Sequence, residues 1–216
     1  MAAEEVYDQL LATPAPAGWD AFDRHVVAAM VSLAMEEGAR SGQGGLAGLG
    51  LSALEFRQLL DAGFPGAAAS LAPCLAAEGV PPDGEEDSIR DILRLYCSTG
   101  DGIEQWLIAM IARRCKAPHH LWQDLGLRDR GELSQLMRRH FAPLAEKNRN
   151  DMKWKKFLYR MVCGTEGFSL CTAPVCAECD DFAVCFGAED GESRLARTRN
   201  GRLATGAEKD LPLAAE

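Results

Sequence analysis

Four thiols crowd one short stretch near the C-terminal end of the chain. Cys171, Cys176, Cys179 and Cys185 fall within CTAPVCAECDDFAVC, at spacing C-x4-C-x2-C-x5-C. Thiolates so close together in sequence can close around one soft metal centre, and packing gives no reason to gather them there. Pro174 stiffens the turn before Cys176. Gly164 and Gly167 loosen the chain ahead of the first cysteine, and Asp180 and Asp181 keep the stretch after Cys179 turned toward solvent. These residues predict a loop wrapped around a metal, and the function is expected to be the chemistry of that centre.

Iron and zinc are the candidates for a four-thiolate site. Structural zinc sites usually pair two C-x2-C knuckles across a long spacer. Only one such knuckle is present, Cys176 to Cys179, and the other spacings are wider. C-x4-C-x2-C matches the first three ligands of plant-type ferredoxins, although their fourth cysteine lies far downstream. Spacing therefore favours an iron–sulfur centre over zinc. Of the other cysteines, Cys74, Cys97 and Cys115 read as small buried side chains. Cys163 ends the last helical stripe, eight residues before Cys171, and is a further candidate for the site.

Two histidines add nitrogen donors. His119 and His120 precede Leu121-Trp122, and an imidazole can ligate a metal or donate a hydrogen bond to a cluster atom. The competing reading is local: Pro118 starts a helix and the rings satisfy nearby backbone groups. His140 lies on an apolar stripe and reads as a packed core residue, and His25 carries no signal. Lys153, Lys155, Lys156 and Arg160 surround the polar side of the helix leading to the cysteines. They are read either as a solvated face or as cations that attract an oxyanion, an anionic cluster or an acidic partner.

The elements that must position these groups are helical. Apolar residues recur at helical spacing in Ile89, Ile92, Leu93, Tyr96 and Cys97; in Ile103, Trp106, Leu107, Met110 and Ile111; in Leu133, Leu136, Met137, His140 and Phe141; and in Trp154, Phe157, Leu158, Met161 and Val162. Further helices are predicted over Asp20–Glu37, Leu51–Ala62 and Gly66–Ala77, with Asp101 and Glu104 as a capping box for the Ile103 helix. No period-2 run of β-branched residues suggests a strand. ARSGQGGLAGLG contains five glycines but lacks the Lys-Ser/Thr pair of a phosphate-binding loop and reads as a linker. The predicted fold is mostly α. Residues 1–50 form an N-terminal helical region and Gly-rich linker, residues 51–187 a helical domain with a cysteine-rich metal-binding loop over 163–187, and residues 188–216 a polar, disordered tail.

Composition limits the alternatives. The 216 residues are 47% apolar and 25% charged, ordinary for a globular chain. No apolar run is long enough for a transmembrane helix. MAAEEVYDQL lacks the basic start of a secretory signal, so a cytoplasmic location with reduced thiols is expected. The net charge of −9 hides an asymmetry: Arg113 to Arg160 holds thirteen Lys and Arg against five Asp and Glu, or +8, and the remainder is −17. No Ser-His-Asp series, HExxH motif or nucleotide-binding loop points to an enzyme.

The pairing of DMKWKKFLYRMVC with CTAPVCAECDDFAVCFG, preceded by ARRCKAPHHLWQDLGLRDRGELSQLMRRHFAPLAEKN, resembles the NifQ family of nitrogen-fixation proteins. The resemblance covers roughly Leu51 to Gly187 and includes the whole cysteine pattern. It implies a metallocluster carrier, not an enzyme. Such a protein holds a molybdenum–iron–sulfur cluster and donates molybdenum to the iron–molybdenum cofactor of nitrogenase. The implied partners are the NifEN scaffold, the nitrogenase iron protein and a source of molybdate, with neither membrane nor nucleic acid. On this reading Cys171, Cys176, Cys179 and Cys185 ligate the cluster, and His119 or His120 can fill the molybdenum corner. The alternative is a zinc-stabilised helical module that binds nucleic acid through the basic segment; a second is an iron–sulfur redox subunit.

Overall fold

In a computed structural model, residues 2–71, 79–100, 102–165, 189 and 193–195 are described. Among them the chain forms helices and turns and no strand: α1 (Ala3–Leu11), α2 (Ala21–Ser41), α3 (Leu46–Leu49), α4 (Ala53–Gly63), α5 (Gly84–Leu95), α6 (Glu104–Cys115), α7 (Leu121–Asp124), α8 (Arg130–His140), α9 (Ala142–Lys147) and α10 (Trp154–Thr165). The mostly helical class expected of the body is observed. The cysteine loop from Gly164 onward and most of the tail lie outside the residues whose side chains are described, as does the Asp101 cap.

Short polar residues start four of these helices. The N–H groups of Asp23, Glu55, Glu86 and Glu132 donate to the side chains of Asp20, Ser52, Asp83 and Asp129. Each bond satisfies one of the donors that a helix start leaves open. Glu104, expected to face Asp101, accepts the N–H groups of Thr99 (2.9 Å) and Gly100 (2.8 Å). The helix predicted over Gly66–Ala77 is absent in its described part: residues 65–71 are turn. Gly66 sits at φ 88°, left-handed backbone that cannot propagate a right-handed helix.

α2 forms the centre. Val26, Met30 and Leu33 mark one face in sequence, yet Val26 to Met35 are buried without interruption. Val27, Val31, Met35, alanines and Ser32 fill the other faces, so α1, α3 and their neighbours approach from several sides. α1 and α3 pack on α2, α3 on α6, α5 against α6, α10 on α5, and α8 against α9. The four apolar stripes all join one core with Phe56, Phe64 and Phe141. Cys97, expected inside, is only half-buried at the rim, where its thiol donates to the Arg94 carbonyl.

The charge asymmetry folds back on itself. From the basic segment, Arg139 reaches Asp20 (2.6 Å) and Asp23 (2.9 Å), Arg113 reaches Glu86 (2.7 Å), Arg114 pairs with Glu37 and Lys116 with Asp83. Four of the cations counted as one patch in sequence are therefore paired with carboxylates of the N-terminal half.

Candidate metal centre

The four cysteines themselves, Cys171, Cys176, Cys179 and Cys185, lie outside the described residues. The structure defines what brackets them. On one side α10 carries Cys163, half-buried near its end. On the other side are Glu189, Ser193, Arg194 and Leu195. Both sides attach to one corner of the helical body, built by His119, His120 and α7.

Asp124 is the hub of that corner. Its side chain is fully buried, at 0% exposure, and it meets four donors. Its Oδ2 accepts Lys155 Nζ at 2.5 Å and the His119 N–H at 3.1 Å; its Oδ1 lies 3.2 Å from His119 Nδ1 and accepts Arg194 at 2.9 Å. A buried carboxylate is tolerated because two cations and two hydrogen-bond donors replace its lost water. Lys155 also donates to the Ala117 carbonyl at 2.5 Å. The reading of Lys155 as part of a solvated or anion-attracting face is therefore corrected: its side chain is 16% exposed and is spent on Asp124. Lys156 and Arg160 do face outward.

The histidines occupy the same corner. The His120 N–H donates to Gln123 Oε1 at the start of α7, and its Nδ1 stands 3.2 Å from Glu189 Oε1. Glu189 is held in turn by Arg130 at 2.8 Å. Both rings therefore face carboxylates, and it is the Gln123 side chain that satisfies the His120 backbone N–H. Trp122 Nε1 and Trp154 Nε1 are buried without a hydrogen-bond partner among the described residues. One lies two residues from Asp124 and the other is next to Lys155. Both indoles belong to the hydrophobic core. Among the described residues no group of three or more His, Cys, Asp or Glu side chains is arranged to hold a metal ion.

The remaining titratable groups are structural. Burial pushes the Cys115 thiol up to about 12, so it stays protonated and inert, as a core thiol should. His140 is buried with Nε2 2.9 Å from Asp23. Burial would raise the Asp23 carboxyl, but His140 and Arg139 together hold it below the usual range. His25, silent in sequence, joins Tyr7 (OH to Nδ1, 2.7 Å) to Glu132 (3.0 Å from Nε2), beside a cavity of ≈ 260 Å³ lined by Tyr7, His25, Arg128 and Ser193. Burial opposes ionisation of Glu132, yet bonds from His25 and Arg128 bring it down to about 2. Its partner Arg128 is an i,i+4 neighbour, whereas His25 lies 107 residues toward the N-terminus and no local pattern announces it.

Fold and site together define a helical protein in which α10 and, further along the chain, Glu189 and Arg194 meet one histidine- and carboxylate-bearing corner. The chain belongs to the NifQ family: the family model described as NifQ matches residues 26–187. A protein NifQ homolog of Sinorhizobium fredii is 39% identical over 172 residues, covering 80% of this chain and 75% of the relative. Protein NifQ of Rhodobacter capsulatus is 37% identical over 139 residues, 64% of this chain and 75% of its own length. Protein NifQ of Klebsiella pneumoniae is 45% identical over 78 residues, 36% and 47% of the two chains. No solved structure matches the chain. No helix among the described residues is long and apolar enough to cross a membrane.

Proposed function

We propose that this chain carries a molybdenum–iron–sulfur cluster on Cys171, Cys176, Cys179 and Cys185 and donates molybdenum for assembly of the nitrogenase iron–molybdenum cofactor. Delivery is to the assembly machinery, with the NifEN scaffold and the nitrogenase iron protein as partners, and the chain acts as a carrier in the cytoplasm without substrate turnover. The observation that carries this reading is the four-thiol spacing in a chain of the NifQ family.

The chemistry fits the residues. Thiolates bind iron firmly through sulfur. Three cysteines suffice for three irons, which leaves one thiolate or an imidazole for the molybdenum, the cargo that must leave. Holding α10, Glu189 and Arg194 at one corner limits the entropy lost when the intervening thiols gather. The nucleic-acid reading loses its main support, since Arg113, Arg114, Lys116, Arg139 and Lys155 are each engaged by carboxylates of the same chain.

The test is replacement of each of the four cysteines by Ala, with bound iron and molybdenum measured after anaerobic purification. Each replacement is expected to lower both metals. Unchanged metal content in all four variants refutes cluster ligation by this segment.

A further inference from the structure

We infer that the end of α5 and the neighbouring α8–α9 junction present a docking face for an acidic surface of another protein, with Leu95 exposed among Arg138, Lys147 and Arg149. The inference deepens the carrier reading, under which the chain must meet a second protein to pass on its cargo.

Contacts between segments distant in sequence assemble this face. α5 ends at Leu95, which is 67% exposed, more than any other large apolar residue described. The half-buried Tyr96 ring follows it, with Lys147 Nζ 5.1 Å from the ring centroid. That cation–π contact brings the end of α9 onto the end of α5. The Ser98 N–H donates to the His140 carbonyl at 2.9 Å, and the Ala142 N–H donates to Ser98 Oγ at 3.1 Å. These two bonds fix the α8–α9 junction against the same stretch. Arg138 lies two residues before His140, and Arg149 two residues after Lys147, with its Nε donating to the Glu146 carbonyl at 3.2 Å. All three cations are exposed.

Charge separates this face from the rest of the basic segment. Arg113, Arg114, Lys116, Arg139 and Lys155 are closed by carboxylates of the same chain. Among the described residues no carboxylate pairs with Arg138, Lys147 or Arg149. Glu146 is the single acidic residue between positions 138 and 149, and Arg94 beside Leu95 is balanced by Asp91 at 2.8 Å. Three unpaired cations against one carboxylate leave the face positive on a chain whose net charge is −9. Such a local reversal of sign steers an acidic surface into one orientation. An apolar centre inside a charged rim, with Tyr and Arg at hand, is the anatomy of a protein–protein interface. Nucleic acid fits poorly on both counts. The exposed leucine offers a phosphate backbone nothing, and three cations neutralise too few phosphates to outweigh the repulsion from an acidic chain.

The test is fluorescence anisotropy of a labelled peptide of repeated Glu-Glu-Leu-Leu units, titrated at low salt with the metal-free, full-length protein. The wild type is expected to bind it, and to bind a Lys-Lys-Leu-Leu peptide of the same length about tenfold or more weakly. Lys147→Glu combined with Arg149→Glu should weaken the acidic peptide about tenfold or more, and salt of about 0.5 M should weaken it in the wild type by screening the rim. Leu95→Ala should weaken it about threefold or more, whereas Leu54→Ala, at an equally exposed leucine on α4, should leave it unchanged. Every changed side chain is exposed, and circular dichroism confirms that each variant keeps its fold. No binding by the wild type, equal affinity after the charge reversal, or equal losses at Leu95 and Leu54 overturn the inference. Duplex DNA that displaces the peptide, or a wild-type dimer that the charge reversal dissolves, assigns the face to another occupant and overturns it as well. Binding is read without metal, so a chain that holds no molybdenum refutes the carrier reading and leaves the docking result standing.

Discussion

Replacing Lys155 by Met tests whether the corner beside the cysteines is built as described. Lys155 stands on α10 and crosses to Asp124 at 2.5 Å and to the Ala117 carbonyl at 2.5 Å, tying α10 to the stretch that carries the histidines. Methionine keeps most of the apolar stem and removes the charge. Removing one partner of a buried ion pair costs about 3–5 kcal/mol when the other is left uncompensated. Asp124 would retain Arg194 at 2.9 Å and the two His119 contacts, so the cost should fall to about 2–3 kcal/mol. With a urea dependence of about 2 kcal/mol per M, the unfolding midpoint drops by about 1–1.5 M. The assay is urea unfolding followed by far-ultraviolet circular dichroism, with Lys156→Met, an exposed neighbour on the same helix, as the control. That control should stay within about 0.5 kcal/mol of the wild type. Equal midpoints for the two variants would refute the Lys155–Asp124 cross-link.

Other outcomes follow from the same structure. Glu132 ionises more readily in the folded than in the unfolded chain. Its stabilisation is therefore complete above the ordinary carboxylate range and is lost as pH falls through about 2, and the gap in stability between wild type and Glu132→Gln should narrow between about pH 5 and 2; a gap constant with pH would refute this. Gly126 has φ 74°, and an added Cβ would stand 2.9 Å from the Ala29 carbonyl oxygen, so Gly126→Ala should cost about 1–3 kcal/mol in urea unfolding. Cys115 should resist alkylation in the native protein at pH 8 while half-buried Cys97 reacts, as read by mass spectrometry of digested, labelled protein.

Which parts were legible in sequence follows from the range of the interactions. The stripes from Ile89, Ile103, Leu133 and Trp154 are local consequences of a 3.6-residue period, and their residues were found in or against the core. The helix expected over Gly66–Ala77 is turn as far as residue 71, because Gly66 adopts left-handed backbone that a right-handed helix cannot use. α2 was only partly legible, since a helix buried on every side has no polar face to mark it. The ion-pair geometry was not legible at all. Lys155 finds Asp124 across 31 residues and His140 finds Asp23 across 117. A charge count along the chain cannot distinguish such partners from a free basic surface. At the candidate site the four cysteines lie outside the described residues, and the carboxylates beside His119 and His120, Asp124 and Glu189, were visible only in the fold.

The most direct test of the molybdenum-carrier reading is the metal content of the intact protein, isolated without oxygen from cells supplied with molybdate. The account predicts a brown protein holding both iron and molybdenum, with both reduced when Cys171, Cys176, Cys179 or Cys185 is replaced by Ala. A colourless protein containing zinc alone would contradict it.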